Sequence, residues 1–104
     1  MTTFIRQAAP AYQPPPTPVQ AQGGEADIWS VPATARLGSR VTIFWSAKNV
    51  VSCIETSPDG SFAETSLSGG AATVPITGPT TYSISCTQAD GKHVNNYVTV
   101  EIAP

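Results

Sequence analysis

The sequence predicts an all-β, seven-stranded β-sandwich behind an extended, proline-rich N-terminal arm. Three observations carry this reading. Apolar residues recur at every second position in several short runs, the period of a half-buried strand. Turn-forming residues punctuate the chain at intervals of roughly eight to twelve positions, with no helical period between them. Five of the ten prolines crowd into residues 10–18, which divides the 104 residues into an arm, 1–24, and a compact domain, 25–104.

In the arm, Pro10, Pro14, Pro15, Pro16 and Pro18 impose polyproline II geometry and forbid helix. Fully extended, such an arm reaches about 75 Å. Phe4, Ile5 and Tyr12 give it apolar anchors for a partner, and Thr2-Thr3-Phe4-Ile5 is β-prone enough to add a strand to a neighbouring sheet. The bland alternative is a linker. Gly23-Gly24 then acts as a hinge.

The domain opens with a strand over Ala26–Val31, stopped at an edge by Pro32. In this strand the phase of Trp29 is ambiguous. After a connection through Thr34–Ser39, Val41, Ile43 and Trp45 alternate with Thr42, Phe44 and Ser46, so Trp45 reads as the pin between two sheets. Val50–Thr56 is the next strand, and Ser57-Pro58-Asp59-Gly60 is a tight turn. Phe62–Leu67 reads as a short strand before Ser68-Gly69-Gly70, followed by a strand on which Ala72, Val74 and Ile76 alternate. Gly78-Pro79 breaks the chain before a strand over Thr80–Gln88. Asp90-Gly91 marks a hairpin into a last strand with Val94, Asn96, Val98, Val100 and Ile102 on one face.

Cys53 and Cys86 share the inward phase of their strands, which suits a disulfide across the sandwich; two buried free thiols are the alternative. A zinc pair lacks ligands, since His93 is the only histidine. A disulfide places the chain outside a reducing cytosol. No cofactor is expected.

The charged fraction is 12%, about half the usual share, so Ser, Thr, Asn and Gln must cover the surface. Five unclustered basic residues and a net charge of −2 argue against nucleic acid. No apolar run approaches a membrane-spanning length, and the residues after Met1 do not form a secretion signal.

The run Gly38-Ser39-Arg40-Val41-Thr42-Ile43-Phe44-Trp45-Ser46, then Asn49–Cys53, then Thr80-Thr81-Tyr82-Ser83-Ile84-Ser85-Cys86, resembles bacterial and phage immunoglobulin-like domains. The resemblance covers residues 26–103 and leaves the arm unmatched. It departs from antibody domains in two ways. Ile84 stands where those domains place a tyrosine before the second cysteine, and Trp45 precedes Cys53 instead of following it. The resemblance implies an immunoglobulin-like sandwich with a spacer, adhesion or particle-surface role and no shared active site.

The residues themselves show no catalytic constellation. His93 follows a turn, no nucleophile elbow occurs, and Asp27, Glu55, Asp59, Glu64, Asp90 and Glu101 are spread one per turn or strand. Phe44 and Tyr97 point outward, but on strands assigned to opposite sheets, so they form no joint platform for a sugar. Trp29 and Phe62 read as core or partial cover. The expectation is therefore a non-enzymatic structural protein that opens at Met1 without a secretion signal. It is read as a virion-surface protein, a capsid decoration or tail component of a phage. In that reading the arm holds it to capsid, tail or filament subunits, including copies of itself. The alternatives are a spacer or adhesion domain at a bacterial cell surface and a carbohydrate-binding module.

Overall fold

A computed structural model describes residues 23–104. The arm residues Phe4, Ile5 and Tyr12 lie outside the described residues, so nothing below bears on their roles. Among the described residues the chain is all-β, with no helix. Its strands are β1 (Glu25–Val31), β2 (Thr34–Ala35), β3 (Thr42–Lys48), β4 (Ser52–Thr56), β5 (Ala63–Glu64), β6 (Ser68–Ala72), β7 (Thr80–Thr87) and β8 (His93–Ile102). They form a three-stranded sheet, β1-β3-β6, and a five-stranded sheet, β2-β8-β7-β4-β5. All pairings are antiparallel except that of the short β2 with the end of β8. The chain changes sheet between β1 and β2, through a cis Val31–Pro32 peptide.

The core lies where period-two alternation puts it. Ile28 from β1, Ile43 and Trp45 from β3, Cys53 from β4, Tyr82, Ile84 and Cys86 from β7, and Val100 from β8 are all buried in one cluster. Trp45 meets Phe62 edge-on at a centroid distance of 5.9 Å, and Phe62 meets Tyr82 edge-on at 5.3 Å. This aromatic series joins the two sheets. The Trp45 indole N–H is not left dry, since Nε1 donates to the Ser66 hydroxyl at 3.1 Å and lies 3.2 Å from the Ser66 carbonyl.

Thr34–Ala35, expected as part of a connection, forms the short β2, so that eight strands stand where seven were expected, and two further segments differ from the sequence reading. Ser68-Gly69-Gly70, expected between two strands, instead sits inside β6, and the segment holding Val74 and Ile76 is not a strand. The reason is close approach. A Cβ on Gly69 would lie 3.1 Å from the Trp45 ring, and one on Gly70 would lie 2.7 Å from the Phe44 ring. Glycine here makes room for aromatic side chains on the neighbouring strand. The Asp90-Gly91 hairpin forms as expected, with Gly91 at a φ of 90°.

Cys53 and Cys86 are joined in a buried disulfide. It does not cross the sandwich. The two residues are direct register partners on neighbouring strands β4 and β7, with Cα atoms 4.0 Å apart, so the bond staples one sheet internally. Inward phase was legible in the sequence; which strands would be neighbours was not.

The edges facing each other across β1 and β8 are closed by side chains. Asn96 accepts from the Tyr97 backbone N–H at 2.8 Å through Oδ1 and donates to the Ala26 carbonyl at 2.9 Å through Nδ2. The Gln88 amide oxygen accepts from the Gly24 N–H at 2.9 Å. These contacts take up backbone groups that an edge would otherwise offer to another chain.

The disulfide spans a sequence separation of 33. Reducing it, or replacing both residues (Cys53→Ala with Cys86→Ala), is expected to lower the unfolding free energy by about 4 kcal/mol in the chain-entropy account. Urea unfolding with and without reductant measures this, and coincident midpoints would contradict it.

Candidate functional site

On β1 the carboxylates Glu25 and Asp27 face solvent, while Ala26, Ile28 and Ser30 face the core. That phase places Trp29 outward, 44% exposed and stacked on Phe44, so it is partial cover and not core. Phe62, by contrast, is core. The signal for Trp29 was present in its neighbours, because two charged residues at alternate positions fix the wet face of a strand.

Trp45 facing inward on β3 forces Phe44 to face outward one residue earlier. Trp29 and Phe44 are register partners, and their rings stack with centroids 5.9 Å apart and planes 23° apart. On the far side of Phe44 its partner is Gly70, which has no side chain to lift the ring away from the sheet. The result is a row across three strands, Trp29–Phe44–Gly70, with the exposed Val31 and the partner pair Thr42 and Ala72 in the next row. On its other side runs a polar row, Asp27–Ser46–Ser68, also in register. Tyr97, 68% exposed, lies on the opposite sheet beside a shallow depression of about 440 Å³ lined by Ser83, Ser85 and Asn95. Phe44 and Tyr97 are thus on different sheets, and the outward aromatic that Phe44 joins is Trp29.

The titratable groups do not converge on this face. No group of three or more His, Cys, Asp or Glu able to hold a metal ion occurs among the described residues. His93 is exposed at the first position of β8, its Nδ1 3.3 Å from the Thr87 hydroxyl. Asp59 organises the turn after β4. Its Oδ1 accepts from the Ser61 N–H at 3.0 Å and from the Ser57 and Ser61 hydroxyls at 2.8 Å each. Those bonds, the backbone N–H first, hold the carboxyl down to about 2. Among the described residues no helix is long and apolar enough to cross a membrane.

Glu55 is the exception to the scattered, solvated carboxylates. It shares the inward phase of Cys53, is fully buried, and pairs in register with Glu64. Its Oε1 accepts from the Ser66 N–H at 3.3 Å, whereas Oε2 is buried without a partner among the described residues. Desolvation pushes its pKa up; the Ser66 bond pulls it down, and the neighbouring Glu64 carboxylate pushes it up further. The folded chain therefore holds this proton more tightly than the unfolded chain. That contribution to stability is fully present below the unfolded value, near 4.5, and is lost as pH rises through the folded one.

Two outcomes are expected. Glu55→Gln, which keeps the acceptor for Ser66 and cannot ionise, should raise the melting temperature relative to the parent at pH 7, with the gap closing near pH 4. A gap that is constant with pH would refute the assignment. For Gly70→Ala, loss of a flexible glycine ordinarily stabilises by about 0.4–1 kcal/mol, whereas unstacking an aromatic pair costs about 0.5–1.5 kcal/mol. Because the new methyl group would meet the Phe44 ring, a net loss of stability with a red shift of the Trp29 emission is expected. A stabilised variant would show that the ring is not held against the sheet.

The chain matches no protein-family model, and neither curated proteins nor solved structures show a match to it, so its function has to be argued from these residues.

Proposed function

We propose that this chain is a non-enzymatic interaction module, an immunoglobulin-like sandwich that holds one aromatic face out to a partner. The observation that carries this is the Trp29–Phe44 stack, an exposed indole and a half-buried phenyl ring on the outer face of a sheet. The sheet orders support the topology, with β1, β3 and β6 in the places of strands A, B and E, and β8, β7 and β4 in those of G, F and C. In that assignment Trp45 and Cys53 have exchanged strands relative to the antibody pattern. There the tryptophan sits on C and the bond joins B to F. Here the bond joins neighbouring C and F, and the tryptophan reaches in from B. The disulfide favours a site of action outside a reducing compartment, as on a particle or cell surface.

Attachment to capsid, tail or filament subunits through Phe4, Ile5 and Tyr12 completes the reading. Expressed with a tag in the cells that encode it, the chain is expected in the particle or envelope fraction. The double replacement Phe4→Ala with Ile5→Ala should release it while the circular dichroism of the domain stays unchanged. A double variant that fractionates like the parent would remove the arm from attachment.

A further inference from the structure

β6 lies at the edge of its sheet, and half of its main-chain groups face no partner among the described residues. The Ala47 N–H donates to the Leu67 carbonyl at 2.8 Å, and the Thr73 N–H donates to the Val41 carbonyl at 2.9 Å. Those bonds set the phase of the ladder between them. Leu67, Gly69, Ala71 and Thr73 bond to β3, while Ser68, Gly70 and Ala72 turn their N–H and C=O groups to the open edge. We propose that this edge receives the arm segment Thr2-Thr3-Phe4-Ile5 of a second copy as an added antiparallel strand. The proposal rests on the arm-attachment reading and names the receiving subunit as another copy of this chain.

Sheets ordinarily guard an edge with lysine, proline, a bulge or a covering element. The two-residue β2 and β5 offer little to pair with, and β5 ends in the charged Glu64. The β1 edge is engaged by Asn96 and Gln88. β6 has no such guard. Ser68-Gly69-Gly70-Ala71-Ala72 carries no charge and no proline, keeps an unbroken register with β3, and is exposed except at the half-buried Ala71. Its outward donors and acceptors repeat at the strand spacing, a pattern that an extended main chain matches. Leu67 and Val74, both exposed, flank the edge, so a strand laid there also covers apolar surface.

The occupant follows from the chain outside the described residues and from where it ends. Residues 1–22 precede the described chain, which begins at Gly23. Glu25 pairs with Lys48 and Ser46 with Ser68, so the arm joins the domain at the Ser68 end of the sheet. Its own β6 edge is two strand spacings from β1, about 10 Å. Residues 6–22 at the polyproline rise span about 50 Å, and the prolines resist a tight return. That span suits the edge of a neighbour. Thr2–Ile5 is the β-prone run of the arm, and neighbouring residues of a strand face opposite sides. Phe4 and Ile5 therefore bring one apolar side chain to the Leu67 and Ala71 side and one to the Gly70 side. Charge agrees, since all seven carboxylate side chains lie in the domain and Arg6 is the arm's one charged side chain.

The test is light scattering after size exclusion on the full chain over a wide concentration range. The parent is expected to rise above the monomer mass without a fixed ceiling, because an arm-to-edge contact is head-to-tail. Ser68→Pro with Ala72→Pro removes two outward N–H groups and no bond to β3. It should weaken association roughly tenfold or more with the melting temperature held. Phe4→Ala with Ile5→Ala should weaken it as much. A second measurement does not depend on the proline variant folding. A labelled peptide of residues 1–8 should bind the Phe4→Ala, Ile5→Ala chain, whose edge is vacant, and the same peptide N-methylated at Thr3 and Phe4 should not. A parent that stays monomeric would overturn the proposal, as would a folded proline variant that associates like the parent, or a peptide that N-methylation does not weaken. Association that survives Phe4→Ala with Ile5→Ala would also overturn it, since the edge would then pair without the arm. Fractionation with particle or envelope is read separately, so attachment to another kind of subunit can hold where this fails.

Discussion

The alternation of β3 is the constraint on which the rest depends. With Trp45 turned into the core, where it meets Phe62 and through it Tyr82, the strand has no choice about Phe44. One indole placed inside obliges a phenyl ring outside. The adjacent strand answers both demands with consecutive glycines, Gly69 under the indole and Gly70 under the phenyl ring. The core and the outward aromatic row are therefore two faces of a single register, and slipping β6 by one residue would spoil both at once.

Side-chain phase was legible in the sequence; adjacency was not. The inward series Val41, Ile43, Trp45 and the shared phase of Cys53 and Cys86 follow from alternation alone, and both series are buried. That the cysteines would be neighbours in one sheet depends on strand order, which a local pattern does not encode. Gly69-Gly70 misled for a related reason. A glycine pair reads as a chain breaker until the rings that need the space are known, and those rings lie more than twenty positions upstream.

The aromatic row was half legible. Phe44 faced outward by phase, but its partner depended on which strand lay beside it. Trp29 was readable from Glu25 and Asp27, whose charges cannot both be buried without partners. Glu55 escaped notice because a carboxylate in inward phase violates the same expectation. It sits within the chain's own alternation, two residues from Cys53, and only its burial beside Ser66 and Glu64 explains why its proton is held.

The placement of the disulfide has a mechanical consequence. A pull on the two ends of the domain acts on β1 in one sheet and on β8 in the other, the first and last strands of the described chain. Cys53 and Cys86 lie inboard of both, so the tether bears no load until β1, β2 and β3 on one side and β8 on the other have peeled away. After they have, everything between the cysteines remains a closed loop that cannot be drawn out. Such a module lengthens in a limited first step and then stops, and on release its β4–β7 pairing is still in register to guide the outer strands back.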